Sequence, residues 1–132
     1  MRHFSALAPL FIAAPLLIAG CRKKQDASQQ IRTAAERYYG YLITGDVDAY
    51  LRSLHDYDAL SDEYRSQLRE IFAQCLQQEK EQHGGILSAQ AIRDTLIDSI
   101  HAQAFVELVF GDSTREQVLL PLILTQEGWK LE

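Results

Sequence analysis

The chain has 132 residues, with 18 acidic residues against 13 lysines and arginines, so its formal net charge at neutral pH is −5. This length suits one small domain with a single hydrophobic core. The acidic balance argues against nucleic-acid binding, because such binding needs clustered lysines and arginines that displace counterions from phosphates.

The first 20 residues have the pattern of a signal peptide. Arg2 precedes an apolar stretch that is too short, and too interrupted by two prolines, to cross a bilayer as a helix. Ile18-Ala19-Gly20-Cys21 follows, and this run resembles the lipobox of bacterial lipoproteins. The resemblance implies cleavage before Cys21, with lipid attached to the thiol of that cysteine. The alternative is an ordinary signal peptide with a chance cysteine after its cleavage site.

Lipid on Cys21 would place the protein in the bacterial cell envelope, because two or three acyl chains hold a protein firmly on a membrane. The basic residues 22–24 would then lie at the lipid headgroups. The absence of an aspartate after Cys21 favours the outer membrane, and the leaflet stays open. We expect residues 21–30 to form the lipidated N-terminus and a polar tether, and residues 31–132 to form the folded domain.

Three helices are expected in the first part of the domain. One face of the first helix carries Ile31, Ala34, Ala35, Tyr38 and Leu42, and Gly45 ends this helix. Asp46 is a candidate cap for a short second helix, and Ser61 for a third that runs to about Gln82. We expect Cys75, in the apolar stripe of the third helix, to be buried as a small hydrophobe, with an intermolecular disulfide or a reactive thiol as the alternatives. Neither the cysteines nor the histidines have metal-ligand spacing, so we expect no metal and no cofactor.

After Gly85 the hydrophobic period changes from helical spacing to two, which indicates strands. The first strand is expected at about residues 87–97, the second ends at Phe110, the third covers residues 118–124 and the last covers residues 129–132. In the second strand the even-numbered positions are the more apolar and should face the core. Pro121 cannot donate to a ladder and implies an edge position or a bulge. The sequence predicts an α+β fold with N-terminal helices, the first and third covering the sheet, packed on a four-stranded antiparallel sheet.

Several short segments resemble bacterial lipoproteins of unknown function with a nuclear transport factor 2-like (NTF2-like, or cystatin-like) domain. They are Tyr38-Tyr39-Gly40-Tyr41-Leu42, Gly45-Asp46, Gly84-Gly85-Ile86, Phe110-Gly111-Asp112 and Glu127-Gly128-Trp129-Lys130. The resemblance covers about residues 28–132. It implies a curved sheet wrapped around a long helix, forming a cone with an inner pocket. The family has no agreed catalytic set, so function must be argued from a site.

We consider three functions. In the first, which we favour, the outward sheet face is an interface that pairs two copies or binds an envelope protein. Its candidate residues are His101, Phe105, Val109, Leu119 and Ile123. In the second, the cone pocket binds a small apolar or amphipathic ligand, with Tyr38, Tyr41 and Trp129 as candidate lining residues.

The third function is an isomerase- or dehydratase-like enzyme that uses Tyr38 or Tyr41 with His101 and Glu107. We consider it the weakest of the three, because the parity of the second strand puts His101 and Glu107 on the outside.

Overall fold

The computed structural model describes the backbone of residues 14–132 and the side chains from Asp26 onward. Residues 1–13 and the side chain of Cys21, on which the signal-peptide and lipid predictions rest, lie outside the described residues. The elements in chain order are α1 (Ala14–Ile43), α2 (Val47–Arg52), a 3-10 turn (Tyr57–Ala59), α3 (Asp62–His83), β1 (Ile86–Leu96), β2 (His101–Phe110), β3 (Arg115–Thr125) and β4 (Gly128–Leu131). Of the helices described, none combines the length and the apolar character that crossing a bilayer requires.

The predicted core face of α1 is confirmed. All five of its apolar residues are buried. The helix begins earlier than expected, because residues 21–30, which we expected to form a tether, are helical. Polar contacts attach this part to β1: the Ser28 hydroxyl donates to Asp94 Oδ1 at 2.6 Å, and Arg32 Nε donates to the same oxygen at 2.7 Å. Hydrophobic periodicity could not reveal this extension, because polar side chains make the contacts.

Both predicted helix caps are confirmed. The Asp46 carboxylate accepts a hydrogen bond from the Ala49 N–H at 3.1 Å, and the Ser61 hydroxyl accepts one from the Tyr64 N–H at 3.1 Å. These bonds satisfy amides that have no partner inside the first turn of a helix. α3 ends at His83, where Gly84 adopts the left-handed conformation.

The four strands form one antiparallel sheet in the order β1-β2-β3-β4, as predicted. In β2 the even-numbered residues 102–110 are buried and the odd-numbered residues are partly exposed. The even-numbered side chains and those of α1 belong to one core cluster, which defines the inner face of the sheet. A side-chain contact adds to this packing, since the Glu36 carboxylate accepts from the Ala91 N–H of β1 at 3.0 Å.

Pro121 lies where β3 becomes an edge. β4 has four residues and pairs with β3 from Leu122 to Thr125, so residues 115–120 have a strand neighbour on the β2 side alone. The Pro121 carbonyl accepts from the Glu132 N–H at 3.2 Å, and its nitrogen points to the same side, where no ladder donor is needed. The predicted edge position is confirmed.

The prediction that α3 covers the sheet is wrong, and so is the burial of Cys75. α3 has no buried residue, and the Cys75 thiol is exposed. The helix meets the sheet at its C-terminal end, where the Gly111 N–H donates to the Gly85 carbonyl at 2.9 Å. Elsewhere it packs on α2, with the ring of Phe72 at 5.1 Å from that of Tyr50. The apolar stripe of α3 therefore faces a groove rather than packed strands.

Candidate functional site

An apolar groove separates α3 from the edge of the sheet. It has a volume of about 420 Å³. Its apolar and aromatic lining residues are Tyr50, Leu54, Leu60, Tyr64, Leu68, Phe72, Leu120, Pro121 and Leu131, and its acidic ones are Asp56 and Glu132.

The floor, the open side and the wall of the groove each follow from a particular strand or helix. Leu120 and Leu131 are buried and form its floor, because β3 and β4 direct both residues to the inner face of the sheet. β4 is too short to continue along β3, so no strand covers this region. Tyr64 and Leu68 are one helical turn apart on α3 and form the wall. The result is a cleft with apolar walls and an acidic rim.

A second cavity lies further along α3. It has a volume of about 480 Å³, and its apolar lining includes Leu42, Val47, Leu76 and Ile86. Glu79 also lines it, and its Oε2 atom is buried without a hydrogen-bond partner among the described residues. This end of α3 is more polar than the groove.

Burial raises the pKa of two tyrosines near the groove. Burial, together with Tyr50 and Glu116, raises the pKa of Tyr39 to about 12. Burial also raises the pKa of Tyr50, whose side chain lines the groove. Both groups remain protonated at neutral pH, so they are hydrogen-bond donors and not anions.

The sequence matches no protein-family model and no curated protein. Among solved structures, it is similar to an NTF2-like transpeptidase-like protein from Campylobacter jejuni, with a TM-score of 0.59 and 18% sequence identity. The match covers 74% of this chain and 92% of that chain. The chain has an NTF2-like fold. At this identity the likeness establishes the fold alone.

Tyr38, Tyr41 and Trp129, the predicted pocket-lining residues, do not line the groove. Tyr38 is buried, and its hydroxyl donates to the Trp129 carbonyl, which connects α1 to β4. The Tyr41 ring is half-buried at 6.4 Å from the Tyr38 ring, and neither tyrosine lines the groove. Trp129 lines a separate cavity of about 380 Å³ beside α1, where most of the other lining residues are polar.

The predicted interface residues do share one face of the NTF2-like sheet. Phe105 pairs with Leu119, and His101 pairs with Ile123, on the face that points away from α1. Val109 lies on the same face, opposite Arg115.

Charged side chains frame this outer face. The Arg93 guanidinium lies 4.2 Å from the ring centroid of Phe105, and Arg115 donates to the Glu107 carboxylate at 2.8 Å. The outer face is therefore an apolar stripe between charged groups.

The residues of the enzyme hypothesis are not brought together. Tyr38 lies on the inner side of the NTF2-like sheet, whereas His101 and Glu107 lie on the outer face. His101 Nδ1 is 2.9 Å from the Asp98 carboxylate, and Glu107 pairs with Arg115. Across residues 26–132, no group of three or more histidine, cysteine or acidic side chains could hold a metal ion.

Sequence reasoning missed the groove because it assigned the α3 stripe to the core. The groove residues Tyr50, Tyr64, Phe72 and Leu120 have the spacing of ordinary packing positions. One available signal was the length of the last strand. Four residues cannot extend the sheet far enough to meet a helix of 22 residues.

Proposed function

We propose that this protein is a lipid-anchored component of the cell envelope that binds a small apolar or amphipathic ligand in the groove between α3 and the sheet. The observation that carries the proposal is the apolar stripe of α3, which has no buried residue and, apart from the contact of Phe72 with Tyr50, faces the groove. Burial of apolar surface is favourable by about 25 cal/mol per Å², so a ligand that covers the stripe gains free energy. The groove volume of about 420 Å³ is in the range of small-molecule pockets.

The rim of the groove selects the polar end of the ligand. Asp56 and Glu132 are the acidic residues that line it, and Tyr50 and Tyr64 add hydroxyl groups. Two carboxylates at the mouth of the groove disfavour an anion and favour a cation or a hydrogen-bond donor. We therefore expect an apolar chain or ring system with a neutral or cationic head, and not a fatty acid anion.

A fluorescent probe tests the groove directly. The measurement is titration of the soluble Cys21→Ser variant with N-phenyl-1-naphthylamine, an uncharged apolar dye that becomes bright in apolar sites. Leu68→Glu places a charge on the groove wall and should raise the Kd by about tenfold or more, the equivalent of 1.4 kcal/mol.

Ile71→Glu is the matched control, because Ile71 is an exposed apolar residue of the same helix outside the groove lining. It should leave the Kd unchanged. Equal effects of the two variants, with helix content intact by circular dichroism, would contradict the groove as the binding site.

The lipid anchor is proposed from the lipobox-like run that ends at Cys21. Intact mass spectrometry of the native protein should show an acyl-glyceryl addition on this residue. Cys21→Ala should lose both the added mass and the association with membranes. An unmodified cysteine in the wild-type protein would contradict the anchor and leave the groove proposal standing.

A second candidate function is association through the outer sheet face. It is favoured by the register, which places Phe105 beside Leu119 and His101 beside Ile123. Sizeable apolar patches on a surface mark interaction sites. Sedimentation of the Cys21→Ser variant should show a dimer, or a complex with an envelope protein, that is lost when Phe105 and Ile123 are replaced by glutamate. A monomer at all concentrations that recovers no partner would argue against this face.

The similar Campylobacter protein is described as transpeptidase-like, and acyl transfer of this kind needs a nucleophile beside a base. The residues that line the groove include no serine, threonine, cysteine or lysine. The contacts favour binding over acyl transfer at this site.

A further inference from the structure

We propose that an apolar tip of the sheet, formed by Leu96, Ile97, Ile100 and Leu124, lies against the membrane that carries the lipid anchor. The proposal rests on lipid attachment at Cys21, proposed above, and it adds the orientation of the domain on the bilayer. The partner that the tip contacts is the layer of the membrane between the lipid headgroups and the acyl chains.

The four side chains of the tip are exposed. Their exposed fractions are 48% for Leu96, 57% for Ile97, 44% for Ile100 and 38% for Leu124. Ile97 and Ile100 lie on the two sides of the β1–β2 turn, and the Ile97 N–H donates to the His101 carbonyl at 2.9 Å. Leu124 belongs to the next strand, and its N–H donates to the Ile100 carbonyl at 2.7 Å. The four residues are thus backbone neighbours at one end of the sheet, where Leu96, Ile100 and Leu124 have the parity of the inner face and Ile97 has that of the outer face.

Contacts between α1 and β1 show that the tip lies at the end of the domain toward which the N-terminus of α1 points. Glu36 contacts Ala91 of β1 at 3.0 Å, whereas Arg32 and Ser28 both contact Asp94, at 2.7 and 2.6 Å. Each step toward the N-terminus of α1 therefore moves toward the β1–β2 turn. The tip and the lipid-attachment residue lie at the same end of the domain.

The distances along the two elements agree. Ile97 is three residues beyond Asp94, which is about 10 Å at the rise of a strand. Cys21 is seven residues before Ser28 in a helix that begins at Ala14, which is also about 10 Å at the helical rise. Since Ser28 and Asp94 are in contact, lipid on Cys21 would hold the tip at the level of the membrane surface.

Charge favours a shallow contact. The basic residues 22–24 lie next to the anchor and attract anionic headgroups. Asp98, in the turn of the tip, accepts hydrogen bonds from the N–H groups of Ile100 and His101, at 2.9 and 2.7 Å. A carboxylate held in this way stays ionised, so the turn does not enter the hydrocarbon, while its apolar neighbours reach the interfacial layer.

The size of the tip argues against a protein partner. Stable protein interfaces bury about 800 Å² on each side and involve about 20 residues or more. Four side chains at one end of a sheet fall far short of that area. They suit a membrane surface, where a lipid anchor already supplies most of the binding free energy.

Site-specific fluorescence in vesicles tests the orientation. The native thiol of Cys75 is exposed and would react with the label, so the lipidated protein first carries Cys75→Ser. A polarity-sensitive fluorophore is then attached through Ile97→Cys at the tip, or through Leu87→Cys as the matched control. Leu87 is 62% exposed near the other end of β1, about 30 Å away at the rise of a strand. The vesicles contain phosphatidylethanolamine and phosphatidylglycerol, with and without lipids that carry a nitroxide just below the headgroup.

The expected result is a blue shift and loss of most of the fluorescence at position 97 when nitroxide lipids are present, with neither change at position 87. Equal quenching at the two positions, in protein whose acyl mass is confirmed, would overturn the tip contact and leave the anchor standing. A blue shift at position 97 that nitroxide lipids do not quench, together with a dimeric mass, would assign the tip to a second copy and overturn the proposal. Absence of acyl mass on wild-type Cys21 would overturn the anchor and the orientation together.

Discussion

The sidedness of the sheet can be tested with two leucines on one strand. Leu122 and Leu119 are three residues apart in β3, so their side chains point to opposite faces. Leu122 is 0% exposed, whereas Leu119 is 49% exposed. The same substitution at the two positions should therefore have very different effects on stability.

Leu122→Ala removes a fully buried side chain and leaves a cavity, which should lower the free energy of unfolding by about 3 kcal/mol, within the usual range of 2–5 kcal/mol. For a domain of this size, that loss corresponds to a fall in Tm of about 12 °C. Leu119→Ala removes half-exposed atoms and should cost about 1 kcal/mol or less.

Urea denaturation of the Cys21→Ser variant, followed by circular dichroism at low protein concentration, measures both changes. A low protein concentration is needed because association through the outer face would bury Leu119. That burial would increase the loss of stability caused by Leu119→Ala. Equal costs at the two positions, or a larger cost at Leu119, would refute the register of β3. A shift of one residue exchanges the buried and exposed faces of the whole strand.

Three further predictions concern other parts of the fold. The hydrogen bond with Asp112 raises the pKa of His83 above its ordinary value of 6.5, and hydrogen bonds from Thr114 and His83 lower the pKa of Asp112 from 3.8 to about 2. The pair therefore stabilises the fold most between pH 3.8 and pH 6.5, and it loses its effect as the pH rises through the raised pKa or falls through the lowered one. In an NMR titration, Asp112→Asn should return the His83 pKa toward 6.5, and an unchanged value would contradict the contact. A Cβ at Gly111 would lie 2.5 Å from a backbone oxygen of the turn after α3, so Gly111→Ala should lower stability in urea by about 1–3 kcal/mol. Gly40→Ala, in a helix with open space around it, should instead raise the free energy of unfolding by about 0.5–1 kcal/mol. If both glycine variants changed the free energy of unfolding in the same direction, the close approach at Gly111 and the open space at Gly40 would be contradicted. Tyr38→Phe leaves a buried carbonyl without its donor and should cost about 1–3 kcal/mol without changing the dye Kd, whereas a weakened Kd would place this residue in the pocket.

Local patterns predicted the fold well where each element buries one face. The alternation of apolar and polar residues along β2 predicted which of them face the core, because side chains of a half-buried strand point alternately to the two faces of the sheet. The caps at Asp46 and Ser61 were predictable because side-chain oxygens there satisfy the first amides of a helix. Pro121 indicated an edge position or a bulge, because it lacks an N–H for the ladder.

The candidate site was less predictable from the sequence. Hydrophobic periodicity shows which face of a helix is apolar, but it does not show what that face packs against. The stripe of α3 was identified correctly as apolar, yet whether it meets strands, solvent or a ligand depends on the angle between helix and sheet. The close approach of Gly84 to Gly111, which joins the end of α3 to the sheet, is a long-range feature that periodicity does not contain. The burial of Tyr38 was predictable from the α1 stripe, but the partner of its hydroxyl was not, since that partner is a backbone carbonyl 91 residues away.

Native mass spectrometry of the protein gently extracted from its own membranes tests the groove as a ligand site most directly. We expect a discrete small-molecule mass in addition to the acyl groups on Cys21, present in wild-type and Ile71→Glu protein and lost from Leu68→Glu protein. Wild-type protein that carries the acyl groups and no further small molecule, under conditions that preserve complexes with added dye, would contradict ligand binding in the groove. The outer sheet face would then become the better-supported site.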